Sequence, residues 1–222
     1  MTIRNYIKNK KIKHFTTFGV EVFIKDEVTN GVPARAVINK ALKKIPNHLL
    51  SNLDSIYIGE FDFLKDREAQ AVYENSSIFV TNEQDSELDM LDDIVHEIAH
   101  SVEEKYAQQI YQDKKIESEF LHKRKNAWML LKDNGIDSEL QDFLNLEYSE
   151  DFDSFLYHDV GYPTLAMVTA NLFYSPYALT SLNEYFANGF EAFYAGGDIS
   201  RLKAISPAIY SKIATLSLVE EY

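Results

Sequence analysis

The sequence predicts an α+β protein in which a mixed sheet comes first and helices follow. Strand-like segments are confined to the first 81 residues, and apolar residues with helical spacing dominate the chain after Ser86. A hydrophobic fraction of 45% is typical of a globular protein. We therefore predict one domain over residues 1–222: a sheet lobe with a long helix over about 16–110, additional helices over about 111–160 and a helical lobe over about 161–222.

The first lobe contains the strand signals. Val20–Ile24 is rich in β-branched residues and residues 55–63 alternate apolar side chains, so both are predicted as strands. Residues 34–45 between them have the apolar spacing of a helix. Residues 69–74 and 77–81 flank a two-residue turn, which is typical of a hairpin.

Helical spacing dominates after Ser86. A stripe of apolar residues at steps of three and four predicts a long helix, and its members are Leu88, Leu91, Val95, Ile98 and Val102. Further helices are predicted over residues 116–132, 138–146, 154–159, 164–172 and 181–194, and from residue 199 onwards with Pro207 as a break or a fresh start. Gly196 and Gly197 are predicted to end the helix that precedes them.

Composition excludes several classes of function. A net charge of −13 argues against binding to nucleic acid or to anionic membranes, because both require a basic surface. With no Cys, metal ligands must come from His, Asp and Glu. The first 13 residues are basic but are followed by no apolar signal sequence, and we interpret them as a solvated end. We expect a soluble cytoplasmic protein, with export by an unusual route left open; the oligomeric state is not predicted.

The sequence His96-Glu97-Ile98-Ala99-His100 is an H-E-x-x-H motif within the predicted long helix. Residues four apart lie one turn above each other, so both imidazoles can bind one metal ion. Glu97 is rotated by about 100° from His96 and can take a proton from water without being a ligand. The surrounding segment is apolar around most of its circumference, which disfavours two unpartnered surface histidines.

A catalytic zinc site needs a third protein ligand. Glu184 is the best candidate, because the helix that contains it is strongly amphipathic and Asn188 shares its face. Residues 181–184 also form a capping-box pattern, so a role for Glu184 as a helix cap is equally consistent with the spacing. The other candidates for a ligand are Glu191, His14, His48, His122 and His158.

Two stretches resemble the catalytic domain of anthrax lethal factor and its relatives, which include the Pro-Pro endopeptidases of clostridia. The first is 95–104, in which the second His is followed by a small residue, Val and two acids. The second is 177–190, in which a Tyr precedes a Glu by seven residues and two aromatics and Ala follow that Glu. The segment from Arg201 to Pro207 also looks like the carboxy-terminal helix of these proteins. The family consists of zinc endopeptidases of the gluzincin type with a zincin-like fold.

The resemblance implies that His96, His100 and Glu184 bind one Zn²⁺ ion and that Glu97 is the general base. It implies that Tyr177 donates a hydrogen bond to the oxyanion. Tyr174 is our alternative if Tyr177 points elsewhere. The sequence departs from the family in two respects. Asn188 stands where the family has an acid that supports a ligand histidine. His100 and Glu184 are separated by 84 residues, a much longer gap, and we interpret the additional helices between them as reinforcement, with a lid or a docking surface as the alternatives.

The expected substrate is a peptide or protein that lies extended against an exposed sheet edge. By analogy to zincins, the residues of that edge are Ala71, Val72, Tyr73, Glu74 and Asn75. The leading hypothesis is thus a zinc-dependent endopeptidase. The alternative is a catalytically silent zincin-like module that binds a partner through its acidic surface or its inserted helices. Glu97 favours the enzyme, and the acidic charge argues against a DNA-associated protease.

Overall fold

The computed structural model describes residues 12–218 of the chain. Of the basic residues predicted to form a solvated end, Lys13 is described and the others lie outside the described residues. The chain divides into two compact units, of which the first extends to Lys105 and the second begins at Tyr106. A five-stranded mixed sheet in the first unit and mainly helices in the second confirm the α+β class.

The sheet of the first unit has the strand order β1-β2-β3-β5-β4. Strands β2, β3 and β5 are parallel, and β1 and β4 pair antiparallel at the two edges. The strands are β1 Lys13–Thr17, β2 Val20–Ile24, β3 Ser55–Gly59, β4 Ala71–Glu74 and β5 Ser77–Thr81. The predicted β2 and the β4–β5 hairpin are confirmed, whereas β1 was not predicted.

The two faces of the sheet have different side chains. On one face the aliphatic residues are buried: Val20, Val22, Ile24, Ile56, Ile58, Ile78 and Val80. On the other face Phe23, Tyr57 and Phe79 stack across neighbouring strands, with ring centroids 5.0 and 5.1 Å apart. Alternation with a period of two produces this division and explains why β2 could be read from the sequence.

Two helices lie between the strands. Helix α1, Ala34–Lys44, connects the parallel strands β2 and β3 and buries the apolar stripe that predicted it. Helix α2, Asp62–Asp66, occupies the end of the segment 55–63 that was predicted as one strand. That prediction is wrong beyond Gly59, where the chain turns and the amide of Glu60 donates to Oδ2 of Asp26 at 3.0 Å.

Helix α3, Glu87–Tyr111, contains the H-E-x-x-H motif. Oγ of Ser86 accepts hydrogen bonds from the amides of Leu88 and Asp89, both at 3.2 Å, and thereby caps its first turn. Its apolar side chains are buried on several sides: Met90, Leu91, Ile94, Val95, Ile98, Ala99 and Val102. A long helix at this position is confirmed, and the backbone departs from helical geometry at Tyr106.

The second unit consists mainly of helices. They are α4 Lys115–Asp133, α5 Leu140–Phe143, α6 Glu150–Ser154, α7 Tyr162–Thr169, α8 Leu182–Glu191, α9 Ile199–Ile205 and α10 Pro207–Leu218. A π-helical turn, Phe155–Val160, follows α6, and a second, Ala192–Gly196, follows α8. The prediction of a fresh start at Pro207 is confirmed. The predicted helix 138–146 is wrong in extent, because α5 is only one turn long.

Aromatic rings fill the interior of the second unit. Phe120 stacks on Tyr185 with centroids 5.3 Å apart, and Phe173 meets Tyr185 edge-on at 5.7 Å. This cluster fixes α8 against α4. No helix among residues 12–218 is long and apolar enough to cross a membrane.

Candidate metal centre

Helix α3 presents both histidines of the motif on one face. The ring centroids of His96 and His100 are 5.2 Å apart, as expected for residues separated by one helical turn. Both side chains are partly exposed, while Glu97 between them is 8% exposed. The helix therefore carries two metal donors and a buried carboxylate within a single turn.

The edge strand β4 contacts this turn of α3. The amide of Tyr73 donates a hydrogen bond to Oε2 of Glu97 at 2.6 Å. The predicted substrate edge is thus an edge strand of the sheet, but its prediction needs two corrections. The strand ends at Glu74, and Asn75 lies in the turn with φ of 50°. The amide of Tyr73 serves Glu97 and is not available to an added strand.

Glu103 was not predicted from the sequence as a partner of the motif, but it lies beside His100. One of its carboxylate oxygens lies 3.5 Å from Nδ1 of His100, and the side chain is buried. A carboxylate at Nδ1 orients an imidazole so that Nε2 faces a metal ion. The signal was present in the sequence, because residues three apart on a helix are neighbours.

Glu184 lies in the first turn of α8. Oγ of Ser181 accepts from the amide of Glu184 at 3.1 Å and caps the helix. This is the serine half of the capping box that the sequence predicted. This hydrogen bond uses the backbone amide of Glu184 and does not involve its carboxylate.

Among the described residues, His96, His100 and Glu184 form a group that could hold a metal ion. Each offers one ligand atom, and these atoms lie within 4.8 Å of one another. The histidines at positions 14, 48, 122 and 158 and the carboxylate of Glu191 belong to no such group of three in that part of the chain. Two imidazoles and one carboxylate match the donors of a catalytic zinc site.

Asn188 lies one turn after Glu184 and fits the presence of a metal. Its side chain is 5% exposed, and its Oδ1 atom is buried with no hydrogen-bond partner. A buried amide oxygen without a donor costs free energy, so such a position calls for an N–H group. An imidazole N–H is a donor of the required kind.

Tyr177 and Tyr174 have different environments. Tyr177 is 38% exposed, but desolvation of its hydroxyl and the negative charge of Glu184 raise its pKa, so it remains a neutral O–H donor at physiological pH. Tyr174 instead accepts from the amide of Asp198 at 2.7 Å, and the guanidinium of Arg201 lies 4.7 Å from its ring centre. Tyr174, the alternative oxyanion donor, thus stabilises the loop before α9.

Comparisons with known proteins found no relative. No protein-family model, no curated protein and no solved structure matches this chain.

Proposed function

We propose that this protein is a zinc-dependent endopeptidase with a zincin-like fold, in which His96, His100 and Glu184 bind one zinc ion. The observation that carries the proposal is the grouping of two imidazole nitrogens and one carboxylate oxygen within 4.8 Å. Glu97 adds a carboxylate that lies between the two histidines in sequence and contacts an edge strand. Its presence favours catalysis, because a module that only binds a partner has no need of a base at this position.

The bound zinc ion would supply Lewis acidity, which activates water and polarises the carbonyl of the peptide bond. Glu97 takes a proton from the attacking water and passes it to the leaving amine. Tyr177 donates its O–H to the negative charge that develops on the carbonyl oxygen. Glu103, 3.5 Å from Nδ1 of His100, favours the tautomer of that imidazole in which Nε2 can bind a metal, and the buried Oδ1 atom of Asn188 is an acceptor suited to an imidazole N–H.

The proposed substrate is a peptide segment in extended conformation. Strand β4 is an edge of the sheet and offers backbone groups for pairing with such a segment. Tyr73 donates its amide to Glu97, so Ala71, two residues earlier, presents its N–H and C=O to the same side. We therefore assign the pairing with substrate to Ala71 and to the carbonyl of Tyr73.

The first test is the zinc content of the purified protein, measured by elemental mass spectrometry. We expect one zinc per chain in the wild type and its loss in His100→Ala and Glu184→Ala. The matched controls are His122→Ala, which removes a histidine that contacts Asn126 on α4, and Glu191→Ala, which removes a second acid of α8. Both controls should retain the ion.

The second test is peptide cleavage by the zinc-loaded protein. A library of peptides analysed by mass spectrometry should yield internal cleavage products with the wild type. Glu97→Ala should retain zinc and lose about 10²- to 10⁴-fold in rate, as expected when a general base is removed. Zinc retained by Glu184→Ala would identify Glu184 as a helix cap only. Zinc binding without any cleavage would favour the silent binding module.

A further inference from the structure

Tyr73 joins the edge strand β4 to helix α3 at two points, one through its backbone and one through its side chain. The amide of Tyr73 contacts Oε2 of Glu97 at 2.6 Å, and its hydroxyl donates to Oε2 of Glu104 at 2.5 Å. Glu97 and Glu104 are seven residues apart and lie on the same side of the helix, separated by about 10 Å along its axis. One residue thus spans two turns of the helix that carries the motif.

The phenol end of Tyr73 is held by several partners. The Asn52 side-chain amide donates to the hydroxyl of Tyr73 at 2.9 Å, to Glu104 at 3.3 Å and to the carbonyl of Ser101 at 3.3 Å. Partial burial and the neighbouring Glu104 carboxylate raise the pKa of Tyr73 to about 12, so the hydroxyl keeps its proton at physiological pH. The hydroxyl of Tyr73 is therefore a protonated donor to Glu104 throughout the physiological pH range.

The backbone end contacts the residue on which proton transfer depends. A glutamate has three rotatable side-chain bonds, and a general base works only when its oxygen lies within hydrogen-bonding distance of the proton it takes. A backbone N–H that donates to one carboxylate oxygen restricts the rotation of that carboxylate. Proton transfer to the carboxylate then takes place in a defined geometry. A β-strand amide provides such a donor with little freedom of its own.

We propose that Tyr73 is a positioning residue for Glu97: its phenol, bound to Glu104 and Asn52, holds strand β4 against α3 so that its amide fixes the Glu97 carboxylate. The catalytic consequence rests on the function proposed above, whereas the structural link does not. The phenol and the amide are coupled because they belong to one residue. Loss of the phenol contacts should loosen the amide contact, although the amide itself is unchanged.

The structural link is tested by hydrogen exchange of the Tyr73 amide, measured by NMR without any substrate. We expect Tyr73→Phe and Glu104→Leu to speed this exchange by about fivefold to tenfold, since each removes one charge-assisted hydrogen bond. Glu104→Gln retains an acceptor oxygen and should have a smaller effect. Glu97→Ala removes the acceptor itself and should have the largest effect.

The matched control is Tyr57→Phe. It removes a hydroxyl from the same sheet at a position whose ring stacks between Phe23 and Phe79. This variant should leave the exchange of the Tyr73 amide unchanged. Equal exchange rates in Tyr73→Phe and Tyr57→Phe would overturn the proposal, whatever the melting temperatures of the two variants.

The catalytic consequence is tested on zinc-loaded protein with a peptide that the wild type cleaves. Tyr73→Phe should retain one zinc and lower kcat by about fivefold to twentyfold with KM nearly unchanged, because orientation of the base matters in the transition state. An unchanged kcat beside faster amide exchange would limit Tyr73 to a structural role and overturn the proposal. An inactive wild type would contradict the proposed function, while amide exchange would still decide whether Tyr73 fixes Glu97.

Discussion

Lys123 is a buried charged residue beside the helix that carries Glu184. Its ammonium group donates to the hydroxyl of Tyr185 at 2.6 Å and to Oγ of Ser206 at 2.8 Å. The hydroxyl of Tyr185 in turn donates to Oε1 of Glu119 at 2.7 Å. Tyr185 follows Glu184 directly, so this network anchors the first turn of α8 from its buried side.

Burial lowers the pKa of Lys123 to about 8, and the charge of Glu119 only partly opposes this shift. Between pH 8 and pH 10 the lysine is therefore protonated in the unfolded chain and increasingly neutral in the folded one. Because the unfolded state binds more protons, the contribution of Lys123 to the free energy of unfolding rises with pH over this interval, by about 2 kcal/mol.

The measurement is urea unfolding at pH 8, 9 and 10 for the wild type and Lys123→Met. The difference in free energy of unfolding, wild type minus variant, should become more positive as the pH rises. A difference that does not change between pH 8 and pH 10 would contradict the burial of a charged lysine in the folded protein.

The close approach of two helices depends on a single glycine. Gly189 lies in α8, and a Cβ atom at this position would lie 2.2 Å from Cγ2 of Ile209 in α10. Real side chains do not approach so closely, so a larger residue at this position requires the Ile209 side chain or one of the two helices to shift. The first turn of α8 contains Glu184, so the packing of Gly189 in the same helix bears on the position of a proposed ligand.

We expect Gly189→Ala to lower the free energy of unfolding by about 1–3 kcal/mol through overpacking, although alanine favours helix formation over glycine. Differential scanning calorimetry or urea unfolding measures the change. Ile209→Ala removes the Cγ2 atom, so the double variant should be less destabilised than the sum of the two single ones. Additive effects would show that the two side chains do not compete for space.

Side chains that are distant in sequence determine where some helices end, and the sequence did not predict these ends. Helix α5 was expected to extend over residues 138–146 but covers only Leu140–Phe143. Arg124 of α4 donates to the carbonyls of Asp142 and Asn145, both at 2.6 Å. These carbonyls therefore bind a buried guanidinium, so the local apolar spacing was a poor guide to the length of this helix.

The charge of the whole chain is unevenly distributed along the sequence. Residues 133–200 contain 12 acids and no Lys or Arg. This stretch includes three of the proposed site residues: Tyr177, Glu184 and Asn188. A local excess of negative charge attracts cations and basic peptides at long range, and salt weakens that attraction.

We consider a peptide substrate with Lys and Arg on both sides of the cleaved bond. Its kcat/KM should fall about tenfold between low and high salt, because salt screens the electrostatic attraction between peptide and protein. The matched peptide replaces those residues by Gln and Ser and should change little. Both are measured at several sodium chloride concentrations with the same zinc-loaded preparation. An equal dependence for the two peptides would show that the acidic charge does not steer the substrate.

The sequence by itself determined the α+β class, the strand β2, the hairpin β4–β5 and the long helix with His96, Glu97 and His100. These features depend on periods of two and of 3.6 residues, which local sequence records directly. The tertiary structure alone decided the strand order and the hydrogen bond between Tyr73 and Glu97. Tyr73 and Glu97 are 24 residues apart and lie in different elements, so no periodic relation links them and their contact results from packing of the folded chain.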